Sequence, residues 1–330
     1  MNIIENKEAE ILDSKHETYD ISICVITYNK EKYIRDTIES ILMQRTSCKY
    51  EIVVGDNLST DGTRAILKEY WKLYPDKFCL VLNNENLGLT RNIYNTMRKA
   101  KGKYIIILYG DDYWISDEKL QSHYDFLENN QEYIGVSSVV ESRYSGEEKG
   151  FRTFPCKKIR GNKCTLSDYL KGYDFPMVGV MFRNDLFTKQ EEHFKKMLDS
   201  SLYIDDLSFC ILLLMQGDVY VLPKLDGVYR CFRDDEKAGN FNSVNSKKKR
   251  SILTIDLLNR LDDLTDGKLD LGVRYGYVLT TMAFAFTKKE VGKKDYVEVV
   301  NCIKDKYKKH SKLLLTKGIM KKLMLVTIQK

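Results

Sequence analysis

Four runs of β-branched and apolar residues, each followed by a polar break and then a helical pattern, constrain this chain more than any other feature. ISICVITY opens at Ile21, YEIVVGD at Tyr50, FCLVLNN at Phe78 and KYIIILYGDD at Lys103, so successive starts lie 29, 28 and 25 residues apart. That spacing is about the length of a βαβ unit, and strands apolar almost throughout are those buried on both faces of a parallel sheet. A doubly wound α/β arrangement is the prediction for this part of the chain. Between the runs, Ile34, Ile38, Ile41 and Leu42 fall on one helical face, as do Ile66, Leu67, Tyr70, Trp71 and Tyr74, and then Leu89, Ile93, Met97 and Ala100. Each stripe predicts a helix packed on the sheet.

After Asp112 the regularity stops. A helix is predicted from about Asp117 to Asn130, a strand around Val136 to Val140, a short strand near Met177 to Phe182, and a helix beginning near Asp205 that runs through FCILLLM. Beyond Ser246 only amphipathic helical patterns remain. The expected organisation is an N-terminal extension (1–20), a sheet domain (21–245) with halves 21–112 and 113–245, and a helical C-terminal subdomain (246–330). With four prolines in 330 residues and no Gly/Ser-rich run, no flexible linker separates them.

The net charge of +6 is local. Residues 301–330 hold nine lysines against one acid, a surplus of eight, so the first 300 residues carry a net charge of −2. A neutral body excludes a dispersed nucleic-acid-binding face, while the basic tail, with its interleaved leucines, suits either an anionic membrane surface or packing on the rest of the protein. The N-terminus has acids where a signal peptide would have a basic and then an apolar stretch, and no window reaches the roughly 20 apolar residues of a membrane span. The expected location is cytoplasmic, with peripheral attachment to the inner leaflet through the tail. Eight cysteines without a C-x-x-C pair predict reduced, mostly buried thiols. The four histidines fall outside every motif and are expected at the surface or on helix faces.

In open parallel sheets ligands bind beyond the carboxyl ends of the strands. The residues there are Thr27, Tyr28 and Asn29; Asp56 and Asn57, then Ser59, Thr60 and Asp61; Asn83 to Gly88; and Asp111 with Asp112. Two adjacent carboxylates repel each other unless a cation is near, and hard oxygen ligands suit Mg²⁺ or Mn²⁺ holding a diphosphate. The competing reading is that the pair caps the following turn.

ITYNKEKYIRDTIESILMQ, EIVVGDNLSTDGT, NLGLTRN followed by KGKYIIILYGDDYW, and IDDLSFCILLLMQGDVYVLPKLDGVYR occur in that order. Over about Ile21 to Arg230 the chain resembles the family 2 glycosyltransferases. The resemblance implies a GT-A fold, a Rossmann-like mostly parallel sheet flanked by helices, and transfer of a sugar from a nucleotide donor. It places the donor on Thr27, Tyr28, Asn29, Asp56, Asn57, Gly88, Arg91, Asp111 and Asp112. The family commonly has two acids before S-T-D-G-T, and here the second is Asn57. Its D-x-D motif is also incomplete, with Tyr109 in the first position, leaving Asp111 as the implied ligand of Mn²⁺ or Mg²⁺. In inverting members an acidic pair at a helix start supplies the general base, here Asp205 and Asp206 with Asp206 in register. Where many relatives carry a histidine after V-Y-R, this chain offers Arg230 or Arg233 as the phosphate holder.

The implied function is inverting transfer, with a UDP-sugar donor and a saccharide or lipid-linked saccharide acceptor, in synthesis of a bacterial surface glycan. Two other readings stay open. A nucleotidyltransferase would use the same strand-end acids but needs a glycine-rich phosphate loop, which ITYNKEKY lacks. A non-catalytic nucleotide-sugar binder fits the changes at Asn57 and Tyr109.

Overall fold

The computed structural model describes residues 9–14, 18–155, 160–185, 206–233 and 246–308. Their elements are β1 (Glu10–Leu12), β2 (Tyr19–Thr27), α1 (Ile34–Leu42), β3 (Tyr50–Asp56), α2 (Thr63–Leu73), β4 (Phe78–Leu82), α3 (Gly88–Met97), β5 (Gly102–Tyr109) and β6 (Tyr113–Trp114). There follow α4 (Lys119–Asn129), β7 (Tyr133–Tyr144), β8 (Arg152–Phe154), β9 (Lys163–Cys164), α5 (Leu166–Leu170), β10 (Met181–Arg183), α6 (Asp206–Leu214) and β11 (Asp218–Cys231). The last are α7 (Lys247–Leu264), α8 (Gly272–Thr287), α9 (Lys293–Asn301) and α10 (Asp305–Lys308). The chain falls into two compact units, Met1–Tyr169 with Tyr173–Ala238, and Leu170–Gly172 with Gly239–Lys330.

In the first unit the strands run in the order β1-β4-β3-β2-β5-β10-β7-β11-β6. β4, β3, β2 and β5 are mutually parallel, and β3 and β4 are buried along their whole length, as continuous apolar runs require. The second half is mixed: β10 is antiparallel to β5 and β7, and β11 is parallel to β7. The core is the apolar face of α1 (Ile34, Ile38, Ile41) and of α2 (Ile66, Leu67) against the strands. Two features of this unit differ from the sequence expectations. Residues 10–12, expected in an extension, form β1 and pair antiparallel with β4. α3 buries Thr90, Asn92, Tyr94, Thr96 and Met97, and leaves Leu89 exposed.

Of the two places expected for the histidines, surface or helix face, His123 takes the second, on α4, where it is fully buried. It stands beside Lys119, likewise buried, whose ammonium donates to Asp226 Oδ1 at 2.7 Å and to Ser138 Oγ at 2.8 Å. Burial and then the Lys119 charge push the His123 pKa down to about 3, so this imidazole is neutral. His16, His193 and His310 lie outside the described residues. Cys24, Cys48, Cys79, Cys164 and Cys210 are buried free thiols, as expected.

The second unit packs α7, α8 and α9 around Leu258, Leu261, Tyr275, Leu279 and Val299. Asp262 of α7 accepts from Lys304 Nζ at 2.9 Å, Lys306 Nζ at 2.6 Å and the Tyr307 hydroxyl at 2.9 Å. Burial alone would raise the Asp262 pKa; the three hydrogen bonds overcome it and hold the carboxyl below its ordinary range. Residues 309–330, which carry most of the basic tail, lie outside the described residues. No described helix is long and apolar enough to cross a membrane.

Candidate active site

The connections from β2 lead through β3 to β4 on one side, while β5 lies on the other. The strand order therefore reverses between β2 and β5, which is where open α/β sheets place their ligands. Thr27 ends β2 and Tyr109 ends β5. Just beyond them the Gly110 N–H donates to the Ile26 carbonyl at 2.9 Å and the Asn57 N–H to the Thr27 carbonyl at 3.0 Å. A Cβ at Gly110 would stand 2.7 Å from Thr27 Oγ1, so the turn into Asp111 needs a glycine. Thr27 Oγ1 is buried without a hydrogen-bond partner.

The motif T-Y-N after β2 and the motif S-T-D-G-T after β3 are buckled together. Asn29, at φ 52°, donates from its N–H to Ser59 Oγ at 2.9 Å and accepts from the Thr60 N–H at 2.8 Å. The Lys30 N–H reaches Thr63 Oγ1 at 2.8 Å, and the Glu31 N–H reaches Asp61 Oδ2 at 3.1 Å. Ser59, Thr63 and Asp61 thus fix the backbone of Asn29, Lys30 and Glu31, and the Asn29 side chain in turn holds that of Thr60. The Tyr28 side chain is left 42% exposed at the mouth of the crevice.

Asp56 is fully buried. Its carboxylate accepts from the Ser59 N–H at 3.1 Å, from the Ser59 hydroxyl and from Arg64 Nε. Asn57 donates to Asn86 Oδ1 at 2.8 Å and accepts from the Leu87 N–H at 2.8 Å, so its amide orders the approach to α3. Gly88 opens that helix at φ 76°, and Arg91, one turn on, has a buried Nε without a hydrogen-bond partner.

The acids after β5 form the centre of the cluster. Asp111 Oδ2 is 2.7 Å from Lys30 Nζ. Asp112 is buried. Its Oδ1 accepts the Arg230 N–H at 2.8 Å, its backbone carbonyl accepts from Thr37 Oγ1 of α1 at 2.8 Å, and its Oδ2 has no partner. Burial, reinforced by the neighbouring Asp111 charge, pushes the Asp112 pKa well above the carboxylate range. Arg230 Nε donates to the Asp111 carbonyl at 2.8 Å and its Nη2 to Asp36 Oδ2 at 2.7 Å. The guanidinium lies between the Tyr33 and Tyr113 rings, 4.8 and 4.9 Å from their centroids. Arg230 is therefore an organiser of the Asp111–Asp112 turn, whereas Arg233 pairs with Glu147 at an exposed position.

Tyr109 stands where the family motif has an acid, and its hydroxyl donates to Asp206 Oδ1 at 2.9 Å. This bond brings the first residue of α6 to the end of β5. Asp206 keeps surface exposure as a residue, yet protein packed around its carboxyl raises its pKa, with the Tyr109 hydrogen bond acting the other way. Burial and then the Asp206 charge push the Tyr109 phenol up in turn, so it stays protonated and acts as the donor. Asp205 lies outside the described residues.

Sequence reasoning missed Lys30, the role of Tyr109 as donor and the clamp made by Arg230. Lys30 had one legible signal, a cation directly after the strand-end T-Y-N. The others depend on partners 97 and 119 residues away.

A divalent cation fits this cluster in a limited way. Asp111 faces a cation already, and the adjacent Asp112 Oδ2 is unsatisfied. Among the described residues no three His, Cys, Asp or Glu side chains gather at one point. The protein thus offers one or two carboxylate oxygens, and a hard cation here would draw most of its ligands from phosphate and water.

Residues 22–189 match the family model described as glycosyl transferase family 2. Asp206 and Arg230 lie beyond that span. The putative teichuronic acid biosynthesis glycosyltransferase TuaG of Bacillus subtilis is 35% identical over 107 residues, 32% of this chain and 41% of its own. The minor teichoic acid biosynthesis protein GgaA of the same organism is 30% identical over 172 residues, 51% of this chain and 38% of its own. An uncharacterized Mycobacterium tuberculosis protein, Rv1520, is 36% identical over 112 residues, 34% of this chain and 32% of its own. The chain spans between about a third and two fifths of the length of these curated relatives. Among solved structures, S. aureus TarS 1–349 in complex with UDP-GlcNAc superposes with a TM-score of 0.60 at 17% identity, covering 86% of this chain and 79% of that one. The mannosyltransferase PcManGT from Pyrobaculum calidifontis, in complex with GDP-Man and Mn²⁺, gives 0.52 at 16% identity, covering 96% and 90%. At such identities the likeness establishes the fold, a GT-A type sheet with helices on its faces. With the matched span covering half of the chain and the strand-end acids in place, the chain belongs to glycosyl transferase family 2.

Proposed function

We propose that this protein transfers a sugar, with inversion, from a nucleotide donor of the UDP-sugar type to a saccharide or lipid-linked saccharide acceptor in the synthesis of a cell-surface glycan. The observation that carries the reading is the Tyr109–Asp206 hydrogen bond, which joins a carboxylate of raised pKa to the strand end bearing Asp111 and Asp112. A sugar hydroxyl is a poor nucleophile until a positioned base takes its proton. Asp206 is that base: as the acceptor oxygen bonds to the anomeric carbon, its proton passes to Asp206. The electron pair of the breaking carbon–oxygen bond leaves with the diphosphate. A carboxyl whose pKa is raised toward neutrality is better matched to that transfer than an ordinary one.

Thr27, Tyr28, Asn29, Asp56, Asn57, Gly88 and Arg91 line the donor side of this reading, with Tyr28 offering an exposed ring to the base. Asp112 keeps its unsatisfied oxygen for the donor sugar or ribose. Asp111 is the residue that would hold Mn²⁺ or Mg²⁺, whose chemistry when bound is to neutralise charge on the departing diphosphate. The curated relatives TuaG and GgaA carry teichuronic and teichoic acid biosynthesis in their names, which supports a surface-polymer acceptor. The lysines beyond residue 308 are read as the contact with an anionic membrane surface that carries such acceptors.

The test of the base is Asp206→Asn. Turnover, followed as UDP release with donor and acceptor present, should fall by about 10²- to 10⁴-fold while UDP affinity and melting temperature stay near those of the wild type. Near-normal turnover in Asp206→Asn would remove this residue from the mechanism. A protein that binds UDP-sugars but never releases UDP would be a binder without transferase activity.

A further inference from the structure

Lys30 is the one described cation whose ammonium lies against the Asp111 carboxylate. The pair measures 2.7 Å, and its side chains are only 12% and 16% exposed, so it is shielded far better than a surface ion pair. Its position is built in from both ends. The Lys30 N–H is tied to Thr63 Oγ1, fixing the start of the side chain, and the ammonium lies 5.4 Å from the centre of the Phe232 ring, which itself packs on Tyr33 at 5.1 Å. Asp111 is equally fixed, since Arg230 Nε holds its carbonyl and Gly110 forms the turn before it. The carboxylate expected to take a divalent cation therefore meets a tethered monovalent one of the protein's own.

We propose that Lys30 and a divalent cation are alternative occupants of Asp111, so that the metal binds with the nucleotide and hardly at all before it. The inference rests on the reading of Asp111 as the metal ligand. Charge arithmetic supplies the reason. A single carboxylate that already neutralises an ammonium offers a dication little, and the dication must displace Lys30 to bind. A diphosphate changes the balance, because it brings its own oxygens to the metal and gives the displaced ammonium a new anion. Metal and nucleotide then strengthen each other's binding, as linkage requires of two ligands that share one displacement. Lys30 is a positioning residue in this scheme, and its cost falls on premature metal binding.

The experiment titrates Mn²⁺ alone into the full, nucleotide-free chain and follows the loss of the free-ion electron paramagnetic resonance signal. Lys30→Met should bind Mn²⁺ about 5- to 30-fold more tightly than the wild type, the range expected for releasing a partly shielded ion pair. Lys30→Arg, which keeps the charge, should stay near the wild type. The double change Lys30→Met with Asp111→Asn should lose the gain. Adding UDP should raise Mn²⁺ affinity more in the wild type than in Lys30→Met. The idea is overturned if folded Lys30→Met binds Mn²⁺ no better than the wild type, or if its gain survives loss of Asp111. Because this readout needs no turnover, a protein that shows the Mn²⁺ shift yet transfers no sugar would refute the transferase reading and leave the competition standing.

Discussion

The amide of Asn57 donates to Asn86 and accepts from the Leu87 N–H, so a change to aspartate keeps the acceptor and removes the donor. Asp56 already has its carboxylate engaged by Ser59 and Arg64. Asn57→Asp would leave one carboxylate oxygen unspent, able to accept from the N3–H of uracil. UDP should bind roughly 3- to 10-fold more tightly, the worth of one charged acceptor. Calorimetry that finds the two proteins equal would place base recognition elsewhere. At this scale the sequence disclosed residues whose meaning is local: Asp111 and Asp112 repel each other wherever they occur together, and a polar group at a strand end is legible from the run before it. It concealed residues whose meaning comes from a distant partner. Tyr109 appears as a lost acid until Asp206 is seen to accept from it. His123 reads only as a surface or helix-face histidine until Lys119 and Asp226 are seen to enclose it.

Among the elements, α3 shows why a periodic stripe misled. Leu89, Ile93, Met97 and Ala100 recur at helical spacing, yet the helix turns Asn92 and Thr96 to the sheet. The cause is Gly55 of β3, whose missing side chain lets the helix approach the strand: a Cβ there would stand 1.8 Å from Thr96 Oγ1 and 2.8 Å from Asn92 Oδ1. In the space thus left, Asn92 donates to the Gly55 carbonyl at 2.8 Å and accepts from Asn83 at 2.9 Å. Backbone polar groups at the strand ends need partners, and this helix supplies them with side chains. Gly55→Ala must push α3 away, with an expected loss of roughly 1–3 kcal/mol for overpacking and further loss for the stranded carbonyl. Urea denaturation measures it, and a loss below about 0.5 kcal/mol would mean that the helix yields freely. The strands themselves were legible, β3 to its ends, because burial on both faces leaves little choice of residue. β1 was not, since three residues at a sheet edge have no period to read.

For the whole molecule, the change of pattern after Asp112 was visible as the end of the βαβ spacing, and the helical tract from about residue 246 as amphipathic periodicity. The use of the basic tail was not visible, because composition counts lysines without their partners. Lys304 and Lys306 are bound to Asp262, and Lys308 to Asp305, so these three already face acids of their own unit. The attraction to an anionic surface proposed above would then rest on the lysines from 309 onward. Ending the chain after Lys308 should abolish co-sedimentation with anionic vesicles at low salt and leave the melting temperature nearly unchanged. Asp262→Asn should do the reverse, lowering the melting temperature while vesicle binding persists. Equal vesicle binding by the full and shortened chains would assign the tail to packing within the protein. The depressed Asp262 pKa adds a pH signature: its contribution is present above the ordinary carboxyl range and disappears as pH falls through the lowered value, so the destabilisation by Asp262→Asn should shrink in acid. Arg230 reaches far back along the chain, 118 residues to Asp112 and 194 to Asp36. During synthesis the four parallel strands leave the ribosome well before β11, so Asp112 precedes its clamp by 118 residues of growing chain. Until β11 is made, the strand end proposed for the donor therefore lacks the contacts that hold its two acids in place.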